Sequence, residues 1–145
     1  MSIDVAGVAR TLGGKRVIGK TLHSMAELDE AVQRGLPKEA LVRVAEAVFT
    51  ERAAQRSFIY DVVPEATFKR RRDRLSAAES EKTERLARIV AHAFMVWGDE
   101  DAARRFLLVE HPLLGGRRAI DVAMTEIGAR QVEELIHGLE YGLPV

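Results

Sequence analysis

A chain of 145 residues and 16.1 kDa, 47% of it hydrophobic, can bury a real core as one compact domain or as two small helical ones. Its 22 basic residues balance 22 acidic ones, so bulk charge selects neither a polyanion nor a membrane as partner, and the lack of cysteine excludes disulfides, thiol catalysis and cysteine-ligated zinc. No apolar run approaches ~18 residues and the first residues, MSIDVAGVART, carry an early acid, so a spanning helix and a signal peptide are not expected; the expectation is a cytoplasmic protein.

Val5, Val8, Ala9 and Leu12 share a helical face that stops at Gly13-Gly14, where glycine relieves the strain of a helix end. Residues 15–23 read as an irregular or short extended link. Ser24 with Glu27 three residues on is a capping-box signature, and Met25, Leu28 and Val32 are expected to face inward from there to Gly35. Pro37 opens a helix with Leu41, Val44, Ala45, Val48 and Phe49 on its apolar face. Residues 51–74 read as helix, break, helix. Phe58, Ile59 and Val62 bury the first piece and Pro64 marks the break. Residues 65–74 form a short basic helix anchored by Phe68.

Ser76 and Glu79 make a second capping box ahead of the longest helix, whose stripe is Leu86, Ile89, Val90, Ala93, Phe94 and Trp97. That stripe suits the chain's own core or, in part, a homodimer interface. Gly98 closes the helix, and Asp99 or Asp101 caps the next, with Ala102, Ala103, Phe106 and Leu107 inward. Pro112 and Gly115-Gly116 break the chain before a short apolar helix over residues 119–124. Thr125 restarts it, and Val132, Leu135, Ile136 and Leu139 recur at i, i+3, i+4 and i+7. Gly142 and Pro144 end this last helix and leave residues 141–145 as a short surface tail. No run alternates long enough for a strand, so the fold class is all-α with seven or eight helices.

The charge balance hides an asymmetry. Residues 69–74 hold five bases against one acid, while residues 119–145 hold five acids against one base. After a helix and a break, Thr67, Lys69, Arg70, Arg71, Arg72 and Arg74 lie where the second helix of a helix-turn-helix would meet phosphates and base edges; a solvated basic face is the alternative. The four histidines are scattered, and the acids at Glu79, Glu81 and Glu84 and at Asp99, Glu100 and Asp101 sit at helix starts, where the dipole favours them. No metal or cofactor is expected, and no catalytic triad or phosphate-binding loop appears. Gly115-Gly116-Arg117-Arg118 reads as a plain turn with two surface arginines or as a weak anion cradle.

Leu114-Gly115-Gly116, a small helix, Thr125-x-x-Gly128-x-x-x-Val132 and Leu139-Glu140-Tyr141-Gly142 occur in that order, preceded by Glu79-Ser80, Leu86-Ala87-Arg88 and Trp97-Gly98-Asp99. This pattern, over about the last half of the chain, resembles the toxin-binding domain of the MbcA/ParS/Xre antitoxins, the partners of RES-domain toxins. The resemblance implies a helix-turn-helix-like region over 1–75, for DNA binding or dimerisation, and a toxin-binding domain over 76–145. It implies a heteromeric complex with a toxin that consumes NAD or transfers its ADP-ribose, and a C-terminal region that covers the toxin's active site. It also makes operator DNA and a second copy of the chain candidate partners, and no membrane. The toxin-binding residues expected are Arg117, Arg118, Leu139, Glu140, Tyr141, Gly142, Leu143, Pro144 and Val145. A tail with an aromatic anchor, an acid and a terminal carboxylate suits a pocket built for a phosphate-bearing cofactor. The rival readings are a stand-alone helix-turn-helix regulator that uses its C-terminal half to dimerise, and an enzyme using the Arg117-Arg118 corner.

Overall fold

Asp4 caps α1 (Val5–Thr11) by accepting the Gly7 N–H at 3.0 Å, and Val8 and Leu12 turn into the core. The computed structural model describes residues 4–142, so Leu143, Pro144 and Val145, expected in the tail, lie outside the described residues. Gly13, at φ +108°, reverses the chain so tightly that a Cβ there would fall 2.3 Å from Val17 Cγ2. The link expected at residues 15–23 therefore begins as a short helix, α2 (Gly14–Ile18). Ser24 caps α3 (Met25–Arg34) through the Glu27 N–H at 3.1 Å, but the Glu27 carboxylate accepts from His23 N, not from Ser24 N. Leu28 and Val32 are buried, whereas Met25, expected inward, is 58% exposed. It continues the same stripe, but at the first turn it overhangs a cleft at the edge of the core.

Helices α4 (Lys38–Val48) and α5 (Arg52–Val62) follow, their ends packed through Phe49 on Phe58, with ring centroids 5.6 Å apart. Helix α6 (Glu65–Arg70) is shorter than the expected basic helix over residues 65–74. It stops because the next residues pair elsewhere. Lys38 N donates to Asp73 O, Leu75 N donates to Leu36 O, and Pro37 and Arg74 form an antiparallel bridge. The Arg71 guanidinium donates twice to Glu79, at 3.1 and 3.0 Å, and the same carboxylate accepts the Ser76 N–H at 2.8 Å in the capping box of α7 (Ala77–Trp97). Buried Ser80 accepts the Leu36 N–H at 2.7 Å, tying α7 to the same corner.

Helix α7 is the centre of the molecule, with α1, α3 and α4 packed on it from the first half and α8 (Glu100–Leu108) and α10 (Glu126–Glu140) from the second. Trp97 stacks on Phe106 of α8 at 4.4 Å. Between α8 and α10 run a two-residue hairpin, β1 (Glu110–His111) and β2 (Arg117–Arg118), and the short α9 (Ala119–Val122). Ten α-helices among the described residues, where seven or eight were expected, and this small hairpin leave the fold class all-α. Thr125 caps α10, and Gly128 lies so close to α9 that a Cβ would fall 1.8 Å from Val122 O. Arg85–Glu126, Arg88–Glu133 and His92–Glu140 join α7 to α10 at 3.3, 3.4 and 3.2 Å.

Gly128→Ala is expected to cost about 3 kcal/mol, as for a close-packed backbone with no room to give, and a lower urea midpoint with unchanged slope is the check. The Arg71–Glu79 link predicts a pH dependence. Burial alone would raise the Glu79 carboxyl, but the hydrogen bonds from Arg71 and Ser76 outweigh it and hold it below its ordinary 4.5. Its contribution to stability is thus fully present above pH 4.5 and is lost as pH falls through the lower folded value. Arg71→Ala is expected to lower the melting temperature at pH 7 and to narrow its drop below pH 4.5; parallel profiles for the two proteins would contradict this.

Candidate functional site: two partner-binding surfaces

The first surface is the α5–α6 unit. Val63 and Pro64 form its turn in extended conformations, with φ −132° and −50°, so no left-handed residue is required and the turn needs no glycine. Val62 and Val63 are buried beneath it. Phe68 anchors α6 edge-on to Tyr60 at 6.2 Å, under the Lys38 ammonium at 4.4 Å.

The six residues expected to bind DNA separate into different situations. Thr67 is half-buried, and Lys69 is exposed but held by Glu65 at 2.8 Å. Arg71 is committed to Glu79, and Arg74 donates to Gly35 O at 2.8 Å, beyond the end of the helix on which both were expected. Arg70 and Arg72 are exposed and pair with no described residue. A run that counts five bases thus offers two uncommitted guanidinium groups. Its other members hold α6 in place.

The second surface lies in the last quarter of the chain. Gly115 and Gly116, at φ +68° and +78°, make the consecutive left-handed corner that lets Gly116 N donate back to His111 O at 2.8 Å. Arg117 and Arg118 alternate across β2, so they point to opposite sides. Arg117 and the adjacent Leu113, 55% exposed, face solvent. Arg118 turns back. It donates twice to Asp121, at 2.7 and 3.0 Å, and lies over the Phe49 ring at 5.8 Å. The Asp121 hydrogen bonds raise its affinity for the proton further, so it is a permanent cation fastening hairpin to helix.

The end of α10 completes this surface. Leu139, expected on the inner face, is 39% exposed, while Gly138 is the buried residue of the last turn. The stripe of Val132, Leu135 and Ile136 narrows there to a position without a side chain. Glu140 reaches His92 Nε2 at 3.2 Å, and Tyr141 lies against the His137 ring at 4.6 Å with 65% of its surface exposed. Gly142, the last described residue, has a left-handed φ of +66°. Helix α9 packs on both β2 and α10, and so links the hairpin to this end. His92 is a residue that sequence reasoning missed as a partner of Glu140, because 48 positions separate the two and no periodicity connects them.

The cleft that Met25 overhangs carries charge of its own. This cleft of about 330 Å³ between α3, α7 and α10 holds Glu84, Arg85, Arg88 and Glu126, but these charges answer one another. Burial pushes the Glu84 carboxyl up, against the pull of Arg88. Among the described residues no group of three histidine, aspartate or glutamate side chains could hold a metal ion, and no helix is long and apolar enough to cross a membrane.

Residues 92–142 match the family described as the antitoxin Xre/MbcA/ParS C-terminal toxin-binding domain. Residues 27–88 match the antitoxin Xre-like helix-turn-helix domain, which contains α5 and α6. A search of curated proteins found no match. The two matches cover most of the chain in the order that family has them, and their boundary falls inside α7. A helix-turn-helix region followed by a toxin-binding region places the chain in the Xre/MbcA/ParS antitoxin family, whose members bind a toxin through the C-terminal domain.

Proposed function

We propose that the toxin is a RES-domain protein that consumes NAD or transfers its ADP-ribose, and that the end of α10 with the residues after it blocks that toxin's active site. The observation carrying this reading is Tyr141, a large aromatic standing 65% exposed at the end of a rigid helix inside the matched toxin-binding region. An amphipathic ring with few rotors is the kind of side chain that anchors an interface. Glu140 beside it supplies an acid, and a pocket built for the phosphates of a nucleotide cofactor is electropositive. The exposed Arg117 and Leu113 extend the contact at the hairpin, while Arg118 holds the hairpin's shape.

Autorepression of the operon belongs to the same proposal, with 1–75 as the DNA-binding region, 76–145 as the toxin-binding one, and a homodimer as the operator-bound form. Arg70 and Arg72 support it, being the exposed and unpaired cations at the end of α6. Met95, exposed on α7 beside the half-buried Phe94, is the remaining apolar surface of the helix that a second copy would cover.

Two measurements test this reading. Deleting residues 140–145 is expected to leave the circular dichroism spectrum intact, since the core stripe of α10 ends at Ile136, and to abolish inhibition of toxin NAD turnover. Tyr141→Ala alone is expected to weaken toxin binding by about 2 kcal/mol or more. Arg130→Ala, on the exposed face beside Glu126, should cost little; full inhibition by a folded truncation would remove the blocking role from this segment. For DNA, Arg70→Ala/Arg72→Ala is expected to lower the slope of log affinity against log salt by about two units in gel shifts with the chain's own promoter. An unchanged slope would remove α6 from the phosphate-binding surface.

A further inference from the structure

Between Asp4 and Glu27 the chain has no acid, yet it places Arg10, Lys15, Arg16 and Lys20 there. In a sequence whose charges otherwise balance, this is a second basic block, and it lies outside both matched regions. Arg10 approaches Asp4 at 4.0 Å. Lys15, Arg16 and Lys20 are exposed and make no ion pair with a described residue. Helix α2, which carries the first two, has no fully buried residue; only Val17 and Ile18 lean on the core. Core packing accounts for those two apolar residues and not for the cations around them.

The position of these cations relative to α6 carries the argument. A cleft of about 200 Å³ is lined by Ile18, Gly19 and Lys20 on one side and by Arg34, Pro37 and Arg74 on the others. Its acid, Glu30, is already taken by Arg34 at 2.9 Å. Arg74 belongs to the strand-like exit from α6 that bridges to Pro37, two residues beyond the free Arg72. Lys20 thus shares a cleft with Arg74, whose segment leads back past the acid Asp73 to the free Arg72, and the exposed Arg16 and Lys15 precede Lys20 by four and five residues on α2. A helix seated in a major groove about 12 Å wide has a sugar-phosphate backbone along each side.

We propose that Lys15, Arg16 and Lys20 form a second, sequence-independent contact to the DNA backbone that flanks the groove entered by α6. This rests on the reading of α5–α6 as a DNA-binding unit. The cations supply affinity and not sequence choice, because phosphates are alike at every step of the duplex.

The test compares operator and scrambled duplexes by fluorescence anisotropy across a range of salt, using the full chain. Lys15→Gln/Arg16→Gln/Lys20→Gln is expected to lower the salt slope by two to three units, at about 0.9 per phosphate contact. It should weaken both duplexes by the same factor, and the melting temperature should stay that of the wild type. The charge-retaining Lys15→Arg/Arg16→Lys/Lys20→Arg should keep the wild-type slope. If the glutamine variant keeps that slope while Arg70→Ala/Arg72→Ala loses two units, the flanking contact is refuted and the α6 reading survives. If the wild type binds neither duplex, both readings fall. Unchanged duplex binding with lost adsorption to phosphatidylserine vesicles would assign the patch to a membrane surface and overturn the proposal.

Discussion

Helix α7 is the constraint on which both halves of the molecule depend. Its 21 residues present buried Leu86, Ile89, Val90 and Ala93 to neighbours drawn from before and after it in the chain. An amphipathic helix of ordinary composition buries one stripe; this one also buries Ser80, Thr83 and Ala87, because elements surround it. Polar groups buried that deeply must be satisfied. Ser80 takes the Leu36 amide and Thr83 donates to Glu79 O. The match to a helix-turn-helix region ends at residue 88 and the match to a toxin-binding region begins at 92, both within this one helix. The two binding regions therefore share a rigid element and not a flexible linker.

At the first turn of that helix Glu79 does two jobs with one carboxylate. It closes the capping box and holds the exit of α6 through Arg71, while backbone bonds from Lys38 and Leu75 hold the α6–α7 connection against the corner before α4. In the second half of the chain Arg118 plays a comparable part, joining β2 to α9 and covering Phe49. In both places an arginine that looks like surface charge is an internal fastener. Its planar, bidentate geometry is the reason, since a lysine could not make the paired bonds. Arg70, Arg72 and Arg117, by contrast, are exposed and make no ion pair with a described residue.

Much of this was legible in the sequence because it is local. Ser76 with Glu79, Thr125 before an apolar stripe, Asp99 after Gly98 and Pro64 between two short helices each act within three or four residues, and all four govern the backbone as expected. The spaced elements from Leu114 to Gly142 carried the family, because a binding segment is encoded as a contiguous stretch.

What the tertiary structure alone decided is the length of α6, the inward turn of Arg118, the exposure of Met25 and Leu139, and the pairing of Glu140 with His92. The same composition in residues 69–74 would support a longer helix. It ends at Arg70 because Leu36 and Lys38, more than thirty positions earlier, take the backbone hydrogen bonds that a further turn would need. Periodicity says which side of a helix is apolar, but not how far a neighbour extends along it, so the ends of a stripe are settled only by packing. Charge counts have the same limit. Whether a guanidinium group is free for a partner or already bound depends on which acid the fold brings within about 3 Å of it, and that is a property of the folded chain.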